Sequence, residues 1–370
     1  MKNVQKWHFR YVRTWPTVEP MTATINRRLG RSGIEVSALG MGCWAIGGPW
    51  TFNGAPAGWS SVDDAESIRA LRRAFDLGAT FFDTAANYGA GHSERVLGQA
   101  FRGRRHDVVI ATKFGYDVDE ARRTVSHYDI EENDSDVATR LRTDVAASLK
   151  RLDTDYIDVY QLHVWGLAID RALEVRDVLE DLVADGLIRT YGWSTDRADA
   201  LRTFSTSPRC GVIQQGLSVL DDADPVLLRL CEQSDLASIN RGPLGMGLLT
   251  GKFGPGSTFA TDDQRHVAQW HPGFRDGTPT ADWLDKLAAI RDVLTSEGRT
   301  LAQGALAWIW ARSPKTVPIP GFKTVEQVDE NCGALAFGPL QPHQMTEIDR
   351  ILGRDAGAAP NPSDTVTDAM

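Results

Sequence analysis

The chain has 370 residues, of which 42% are hydrophobic and 24% charged, a composition typical of folded globular proteins rather than disordered or collagen-like chains. Its formal net charge is −9, and its basic residues are interspersed with acids, which argues against nucleic acid as a partner. No stretch approaches the about 18 consecutive apolar residues that a membrane-spanning helix requires, so we expect no membrane partner.

The cysteines and the amino terminus bear on cellular location. The four cysteines are widely spaced: Cys43, Cys210, Cys231 and Cys332. This spacing fits neither a zinc site nor a disulfide framework, so we expect reduced thiols, a cytoplasmic protein and no metal. Residues 1–24 are basic and aromatic but lack the apolar segment of an export signal. We interpret them as a disordered leader or as a stretch upstream of the true start, with Met21 as the hypothetical initiator.

The first folded elements come after this leader. RRLGRSGIEVSALG predicts two short strands around residues 31–33, that is, an N-terminal β-hairpin. In DDAESIRALRRAFDLG, apolar residues recur on one helical face. We expect Asp63 to cap this helix, Glu66 to reach back in a capping box, and Gly78 to end it.

Strands and helices then alternate along the chain. After the run ending LGMGCW, the predicted strands are TFFD, DVVIATK, DYIDVYQLH, IRTYGWS, GVIQQ, LASINRG and TVPIPG, with helical patterns between them. Strands separated by helices run parallel, and eight such units close into a ring. The sequence therefore predicts a single (β/α)8 TIM barrel over residues 25–352, and an open doubly wound sheet is the alternative.

Two segments are too long for simple connections. Residues 115–134 and 253–282 each follow the carboxyl end of a predicted strand. In a barrel they would overhang the catalytic face, so we interpret them as candidate lids. Residues 353–370, rich in Ala, Pro, Asp and Thr, predict a disordered tail.

Four polar side chains fall at or just after successive predicted strand ends. Asp83, Lys113 and His163 end the second, third and fourth strands, and Tyr88 lies on the loop after Asp83, so all four converge at one rim of a barrel. Each alone is compatible with an ordinary capping, core or surface role. Together they suit the reduction of a carbonyl, whose oxygen must be protonated or strongly hydrogen-bonded as it accepts hydride.

Each of the four side chains then has an expected role. Tyr88 is the natural proton donor, and Lys113 should draw the phenol pKa down from its ordinary value of about 10. Asp83 would pair with Lys113, while His163 orients the carbonyl. The small residues around Tyr88 are expected to let substrate and cofactor approach the phenol.

These residues lie in the motifs DTAANYG, ATKFG and YQLH. Together with RRLGRSGIEVSALGMGCW, PLGMGLLTGK and IPGFKTVEQVDEN, the set resembles the catalytic tetrad and flanking motifs of the aldo-keto reductases, over about residues 27–349. The resemblance implies a reversible NADPH-dependent reductase that acts on small aldehydes or ketones. The physiological substrate and the oligomeric state are not determined by the sequence.

The cofactor site is predicted from the same resemblance. GMGCWA at residues 40–45 matches a dinucleotide-binding pattern, but IGGPW follows it instead of a helix, so we reject a Rossmann site. The resemblance instead implies NADP(H) lying extended across the barrel rim. The implied cofactor contacts are Trp44, Ser194, Thr195, Gln214, Pro243, Leu244, Gly247, Leu248, Gly321, Lys323, Gln327 and Asn331.

Three local features refine the cofactor prediction. Lys323 lies near the amino terminus of the last barrel helix, where the helix dipole and the ammonium both favour an extra phosphate, hence NADP(H) over NAD(H). Leu217 occupies a position where the family often has an aromatic residue, and GWST replaces the more frequent Ser-Asn pair.

Aromatic residues near the rim are candidates for the substrate pocket, and two other functions remain as alternatives. Trp50, Phe52 and Trp165, together with Trp44, follow rim strands and are candidates for an apolar pocket wall, with ordinary packing as the alternative. One rival function is a Schiff-base aldolase that uses Lys113. The other is a cofactor-sensing regulatory subunit resembling the potassium-channel β subunits.

Overall fold

The main architecture is one parallel sheet. A computed structural model of the chain describes residues 25–127, 136–221, 225–267 and 270–354, and elements are numbered here in chain order over those residues. Within them, eight parallel strands are hydrogen-bonded in one sheet. These are β3 (Gly40–Gly42), β6 (Phe81–Asp83), β7 (Val109–Phe114), β10 (Ile157–Leu162), β11 (Ile188–Ser194), β12 (Cys210–Gly216), β13 (Ala237–Arg241) and β16 (Thr316–Pro318).

The two edges of this sheet meet. The strand order runs from β3 to β16 in chain order, and a parallel bridge joins Gly42 to Gly321. The Gly42 N–H donates to the carbonyl of Pro320 at 2.9 Å. A Cβ at Gly42 would lie 2.6 Å from the Ile319 oxygen, so the seam requires glycine there. The predicted barrel is confirmed, and the open doubly wound sheet is wrong.

Helices cover the outside of the barrel. They are α1 (Asp64–Asp76), α2 (His92–Ala100), α3 (Val137–Leu152), α4 (Ile169–Ala184), α5 (Ala198–Ser205), α6 (Pro225–Gln233), α7 (Gln264–Val267), α8 (Ala281–Leu294), α9 (Leu301–Arg312), α10 (Val325–Gly333) and α11 (Pro342–Ile351). Strand β3 is followed by a short 3-10 turn, Ala45–Gly47. The α-helix that a Rossmann site needs directly after this strand is therefore not found among the described residues.

Helix α1 shows where local prediction held and where it failed. Asp63 caps it, accepting from the Ala65 N–H at 2.8 Å, and Gly78 follows its end with φ 92°, both as predicted. The capping box is wrong. Glu66 does not reach back, and its carboxylate accepts from the Val325 N–H at 2.9 Å, because the start of α10 packs beside α1 and offers a tertiary donor.

The inner core is apolar at the amino-terminal end of the barrel. The predicted hairpin, β1 (Asn26–Arg28) and β2 (Glu35–Ser37), is antiparallel and carries Leu29, Ile34 and Val36. These pack against barrel residues Phe81, Val109, Ala111, Val159, Val212, Ala237, Ile239, Val317 and Ile319. The hairpin thus closes this end of the barrel, and the predicted N-terminal hairpin is confirmed.

The first candidate lid is in part a regular sheet. Strands β8 (Tyr116–Asp119) and β9 (Thr124–His127) form a hairpin, and β9 pairs with β4 (Thr51–Phe52), which pairs with β5 (Ala55–Pro56). The Arg123 guanidinium donates to the Gly47 carbonyl at 2.7 Å. The described part of this segment is therefore a wall bonded to the barrel, and residues 128–134 lie outside the described residues.

The second candidate lid and the termini are described in part. Residues 253–282 contain α7 and a short hairpin, β14 (Phe274–Arg275) and β15 (Thr278–Pro279), while 268–269 are outside the described residues. So are the predicted leader at 1–24, with Met21, and residues 355–370 of the predicted tail. Arg354 donates to the Val219 carbonyl at 2.9 Å.

The cysteines and the helices bear on two predictions made from composition. The four cysteines are all free and buried, as expected for reduced thiols. In the described parts of the chain, no helix combines the length and apolar character needed to cross a membrane.

The amino-terminal hairpin should be part of the cooperative core. Leu29 is 0% exposed, so Leu29→Ala should lower the free energy of unfolding by about 2–5 kcal/mol through lost burial and a cavity. Arg28→Ala is the control, because its ion pair with Asp235 is exposed and worth at most about 1 kcal/mol. Urea denaturation measures both, and equal midpoints for the two variants would contradict a core role for the hairpin.

Candidate active site

Strand alternation places a polar layer above the apolar inner core. Side chains on a strand alternate between its two faces, so a residue two positions after an inward-facing one also faces inward. Phe81, Ala111, Val159 and Val212 belong to the inner core. Two positions on, towards the carboxyl ends of the same strands, are Asp83, Lys113, Gln161 and Gln214.

Lys113 is the centre of this polar layer. Its Nζ donates to Asp83 Oδ1 at 2.5 Å, to the Thr84 carbonyl at 2.9 Å and to the Tyr88 hydroxyl at 3.4 Å. Burial lowers the pKa of the Lys113 ammonium, but the charges and hydrogen bonds of Asp83 and Tyr88 together raise it above its ordinary value. Lys113 is therefore a buried, charged donor that faces the phenol.

The turn that carries Tyr88 is held by buried hydroxyl groups. Thr84 Oγ1 donates to Ser93 Oγ at 2.8 Å, Ser93 Oγ donates to the Cys43 carbonyl at 2.7 Å, and the Ser93 N–H donates to the Tyr88 carbonyl at 3.2 Å. This chain of bonds ties the turn to β3 and to the start of α2. The position of the phenol thus follows from buried contacts on both sides of the turn.

Close backbone packing requires at least one of the small residues in this turn. Gly89 has φ 63°, and a Cβ there would lie 2.1 Å from the Gly47 oxygen. Residue 89 therefore has to be glycine because the segment after β3 packs directly against it. The expected reason, room for substrate and cofactor, does not account for this position.

The pKa of Tyr88 differs from the sequence prediction. Burial raises it, Lys113 lowers it, Asp83 raises it, and the net direction is upward. The predicted lowering is therefore wrong in its net direction, because loss of solvent outweighs the single ammonium. The phenol stays protonated at neutral pH, which is the form a proton donor needs.

His163 lies across from the phenol. Its ring centroid is 5.9 Å from that of Tyr88 and nearly perpendicular to it. Burial, followed by the positive charges of Lys113 and Arg241, holds the pKa of the imidazole well below its ordinary value. The ring is therefore neutral at physiological pH, with one N–H donor and one acceptor. Its Nδ1 is buried and has no hydrogen-bond partner among the described residues.

Sequence reasoning missed Gln161. Its Nε2 donates to Asp83 Oδ2 at 3.2 Å, and Gln214 Nε2 donates to the same oxygen at 2.8 Å and to Gln161 Oε1 at 3.4 Å. The available signal was its position on β10, two residues before His163, which follows the end of that strand; this spacing puts the Gln161 amide on the inward face. The carboxylate of Asp83 is thus bound on both oxygens.

A second missed group is a buried ion pair behind the site. Glu94, which is 0% exposed, accepts from Thr112 Oγ1 at 2.6 Å and from Arg151 Nε at 2.5 Å. These bonds connect the strand position next to Lys113 with α2 and α3. From the sequence, an acid in the first turn of a helix is expected to interact with the helix dipole. The ion pair with Arg151 could not be predicted in this way, because its two residues lie on different helices.

Two predicted cofactor residues lie beside a third, Gln214, which belongs to this polar layer. Ser194 pairs in register with Gln214 across β11 and β12, and the Thr195 N–H donates to the Gln214 carbonyl at 2.8 Å. Leu217, where the family often has an aromatic residue, is 2% exposed.

The predicted segment after β13 is compact. Pro243, Leu244 and Leu248 are buried, and Gly247 has φ 98°, which favours glycine. This segment begins two residues past the end of β13, at the carboxyl rim of the barrel.

The last predicted group shapes the loop before α10. Gln327 Oε1 accepts from the Lys323 N–H at 2.7 Å, and Asn331 Nδ2 donates to the Gly321 carbonyl at 3.4 Å. Gln327 and Asn331 are four residues apart, so they share one face of the helix. Both therefore hold the Gly321–Lys323 backbone in this structure.

Lys323 lies in a cluster of charged side chains. Its Nζ donates to Ser60 Oγ at 3.0 Å. Burial, with the positive charges of Arg265 and Lys252, holds its pKa below the ordinary value, against the opposing charge of Asp263. Three cations and two carboxylates, those of Asp263 and Asp262, thus act on one another near Lys323, and Asp263 pairs with Arg265.

The side chains of the predicted aromatic wall lie in different environments. Trp44 is stacked near Tyr88, with centroids 6.0 Å apart, and Phe52 contacts Tyr116 edge-on at 5.5 Å. Trp50 is 8% exposed and packs with Ala90 and Val125 in a small cluster, whereas Trp165 is 54% exposed.

One further aromatic residue was missed. Trp59 meets Trp44 edge-on, with ring centroids 5.4 Å apart, and extends the aromatic surface that begins at Tyr88. Trp59 follows a Gly- and Pro-containing loop, so no periodic signal marked it in the sequence.

Over the described ranges, no group of three or more His, Cys, Asp or Glu side chains could hold a metal ion.

Comparison with known proteins identifies the family. A family model described as the aldo/keto reductase family matches residues 38–353. Aldo-keto reductase YhdN from Bacillus subtilis is 31% identical over 326 residues, covering 87% of this chain and 91% of that protein. The NADH-specific methylglyoxal reductase of Escherichia coli is 32% identical over 339 residues, covering 90% and 98%.

A solved structure shares the fold. The crystal structure of an aldo-keto reductase from Klebsiella pneumoniae in complex with NADPH has a TM-score of 0.64 and 25% identity, covering 89% of this chain and 95% of that one. Together with the closed barrel and the polar layer at its rim, these matches lead to one conclusion: the chain belongs to the aldo-keto reductase family.

Proposed function

We propose that the protein is an NADPH-dependent reductase of small aldehydes and ketones that works reversibly, with Tyr88 as the proton donor. The observation that carries the proposal is the contact of one buried ammonium with two partners. Lys113 Nζ lies 3.4 Å from the Tyr88 hydroxyl and 2.5 Å from Asp83 Oδ1. Membership of the family supports carbonyl chemistry in general, and this geometry supports the finer assignment.

The proposed roles follow from charge. Bound NADPH supplies the hydride, and the carbonyl oxygen then gains negative charge that must be stabilised. Tyr88 holds its proton at neutral pH and donates it to that oxygen. Lys113 stabilises the phenolate that remains, Asp83 holds Lys113 in place, and the neutral imidazole of His163 hydrogen-bonds the substrate oxygen.

The rim has features that fit an extended dinucleotide phosphate. A Cβ at Gly321 would meet only the Gly42 oxygen, at 3.9 Å, so the surface beside β16 is open there. Lys323 has Arg265 and Lys252 near it, together with Asp263 and Asp262, and Asp263 pairs with Arg265, so the Lys323 ammonium is the cation offered here. We propose that Lys323 binds the 2′-phosphate and that the nicotinamide lies by Gln214. The E. coli relative is NADH-specific by name, so this preference needs its own test.

Two further proposals concern the chain as a whole. The continuous barrel supports residues 25–352 as a single domain, and free, buried cysteines support a reducing compartment, for which we propose the cytoplasm. The aromatic side chains of Trp44 and Trp59 beside Tyr88 support a carbonyl substrate with an apolar portion.

The aldolase alternative is opposed by the state of Lys113. A Schiff-base lysine must lose its proton, which burial without an anion favours. Lys113 instead has a raised pKa, because Asp83 and Tyr88 outweigh burial, and its Nζ is bonded to three oxygens.

Removal of the phenol tests the proposal. Tyr88→Phe should lower kcat for NADPH-driven aldehyde reduction by about 100-fold or more, because a general acid contributes about that much. NADPH binding, measured by fluorescence quenching, should stay within about threefold of wild type. Tyr156→Phe is the matched control, since Tyr156 lies just before β10, at the opposite end of that strand from His163.

Two outcomes would contradict this assignment. Turnover of Tyr88→Phe near the wild-type rate would remove Tyr88 from its role. Tight NADPH binding by wild type with no turnover of any aromatic aldehyde, dicarbonyl, sugar or steroid would favour the regulatory-subunit alternative.

The directions of the pKa shifts predict the pH profile. Reduction needs protonated Tyr88, whose pKa is raised by burial, so kcat should fall only as the pH rises above about 10. His163 is already neutral because its pKa is lowered, so we expect no loss of kcat as the pH falls through about 6.5. Initial rates measured across this pH range test both the alkaline and the acidic side of the profile. A fall of kcat to half its maximum near pH 8 would be inconsistent with a raised phenol pKa.

Cofactor preference is tested at Lys323. Lys323→Ala should weaken NADPH binding by about 10- to 100-fold, the loss of a hydrogen bond to a charged group, and leave NADH binding unchanged. Lys150→Ala, an exposed lysine on α3, is the control. An equal loss of affinity for NADPH and NADH would indicate a structural role for Lys323 and would contradict its proposed binding of the 2′-phosphate.

A further inference from the structure

Arg241, which has no part in the proposed proton transfer, faces the mouth of the barrel. Ala237 and Ile239 of β13 belong to the inner core, and Arg241 lies two positions further along the same strand, so it also faces inward. It is in register with Gly216 of β12, two residues beyond Gln214, whose side chain belongs to the polar layer. The inward face of β13 therefore ends in a cation beside that layer.

Neighbouring groups fix the position of the Arg241 side chain. Its guanidinium pairs with Asp196 Oδ2, and Asp196 Oδ1 accepts from the Gly216 N–H at 2.7 Å. A Cβ at Gly216 would lie 3.2 Å from Arg241 Nη1, so the lack of a side chain there gives the guanidinium room. The Arg241 side chain is 36% exposed, so its charge is only partly screened by water.

The charge of Arg241 reaches the groups proposed to act on the substrate oxygen. Burial, then the charge of Lys113 and then that of Arg241 lower the pKa of the His163 imidazole. Burial raises the pKa of Tyr88, and Arg241 is among the charges that act in the opposite direction. Asp196 is not among the charges that shift the pKa of His163, so the guanidinium is the end of the ion pair that acts on the imidazole.

A charge in this position also acts on a ring that exchanges hydride with the substrate. The carbonyl that Tyr88 protonates must lie next to that ring, so the ring lies within reach of the same cation. The nicotinamide ring is neutral in NADPH and positively charged in NADP+. A fixed cation therefore repels the oxidised ring and leaves the reduced ring unaffected by this repulsion.

We propose that Arg241 is a specificity-determining residue that favours NADPH over NADP+ by repelling the positively charged ring of the oxidised form. This rests on the proposed function, in which the nicotinamide lies by Gln214. The protein then binds NADPH in competition with NADP+ and releases the oxidised form readily. Both properties suit carbonyl reduction rather than alcohol oxidation.

The experiment measures the binding of both cofactor forms to the full-length protein. Fluorescence titrations give the dissociation constants of NADPH and NADP+, and the phosphates and adenosine that the two forms share contribute equally to both. Wild type should bind NADPH about tenfold more tightly than NADP+, and Arg241→Gln should reduce this ratio about fivefold, as expected for two partly screened unit charges. Low ionic strength is used, because salt screens a half-exposed charge.

Three further variants separate charge from structure. Arg241→Lys keeps the charge and should keep the ratio within about twofold of wild type. Asp196→Asn removes the negative partner of Arg241, so the preference for NADPH should increase, opposite in direction to the effect of Arg241→Gln. Arg189→Gln is the matched control, because Arg189 is a half-exposed arginine paired with Asp158 at 2.6 Å near the start of β11. It should keep the wild-type ratio.

The outcomes separate this inference from the proposed function. Wild-type protein that binds neither NADPH nor NADP+ would overturn the proposed function. Equal affinity of wild type for the two forms, or an unchanged ratio in folded Arg241→Gln, would overturn the role of Arg241 alone. So would an equal loss of preference in Arg241→Lys, or a fall of the ratio in Asp196→Asn, which also provides the test if Arg241→Gln does not fold. Circular dichroism establishes which variants are folded.

Discussion

The candidate site depends on one buried ion pair, Lys113 with Asp83. An ammonium inside a barrel is stable only when a carboxylate and further acceptors replace its water. Asp83 Oδ1 and the Thr84 carbonyl meet that requirement. Because the pair keeps its charge, the Tyr88 phenol lies within 3.4 Å of a fixed cation. Every proposed step of proton donation follows from this arrangement.

The barrel makes this pair possible by separating two layers of inward-facing residues. The lower layer is apolar and is closed by Leu29 and its hairpin, so water is kept from the polar layer on that side. The upper layer starts two residues later on each strand. Burial therefore shifts the pKa values of two ionisable groups of this layer in opposite directions, upward for Tyr88 and downward for His163, and in both cases it favours the neutral form.

Hydrogen bonding extends the site sideways from the ion pair. Gln161 and Gln214 bind the second oxygen of Asp83, so the proposed nicotinamide contact and the proposed proton donor share one carboxylate. On the other side, the Glu94–Arg151 pair ties β7 to α2 and α3 through Thr112. Because these side chains share hydrogen-bond partners, the effects of substitutions at two of them on stability or activity should not be additive.

The sequence by itself determined the fold class, because eight apolar runs alternating with helical patterns allow few other arrangements. It also determined that Asp83, Lys113 and Tyr88 converge, because residues at the carboxyl ends of parallel strands share one rim. Their catalytic roles stay predictions. Only the tertiary structure decided the partner of Glu66, the orientation of the Gln161 amide and the upward shift of the Tyr88 pKa. The physical reason is that periodicity encodes which face a residue occupies, whereas hydrogen-bond partners and solvent exclusion depend on segments that are distant in the chain and meet only after folding.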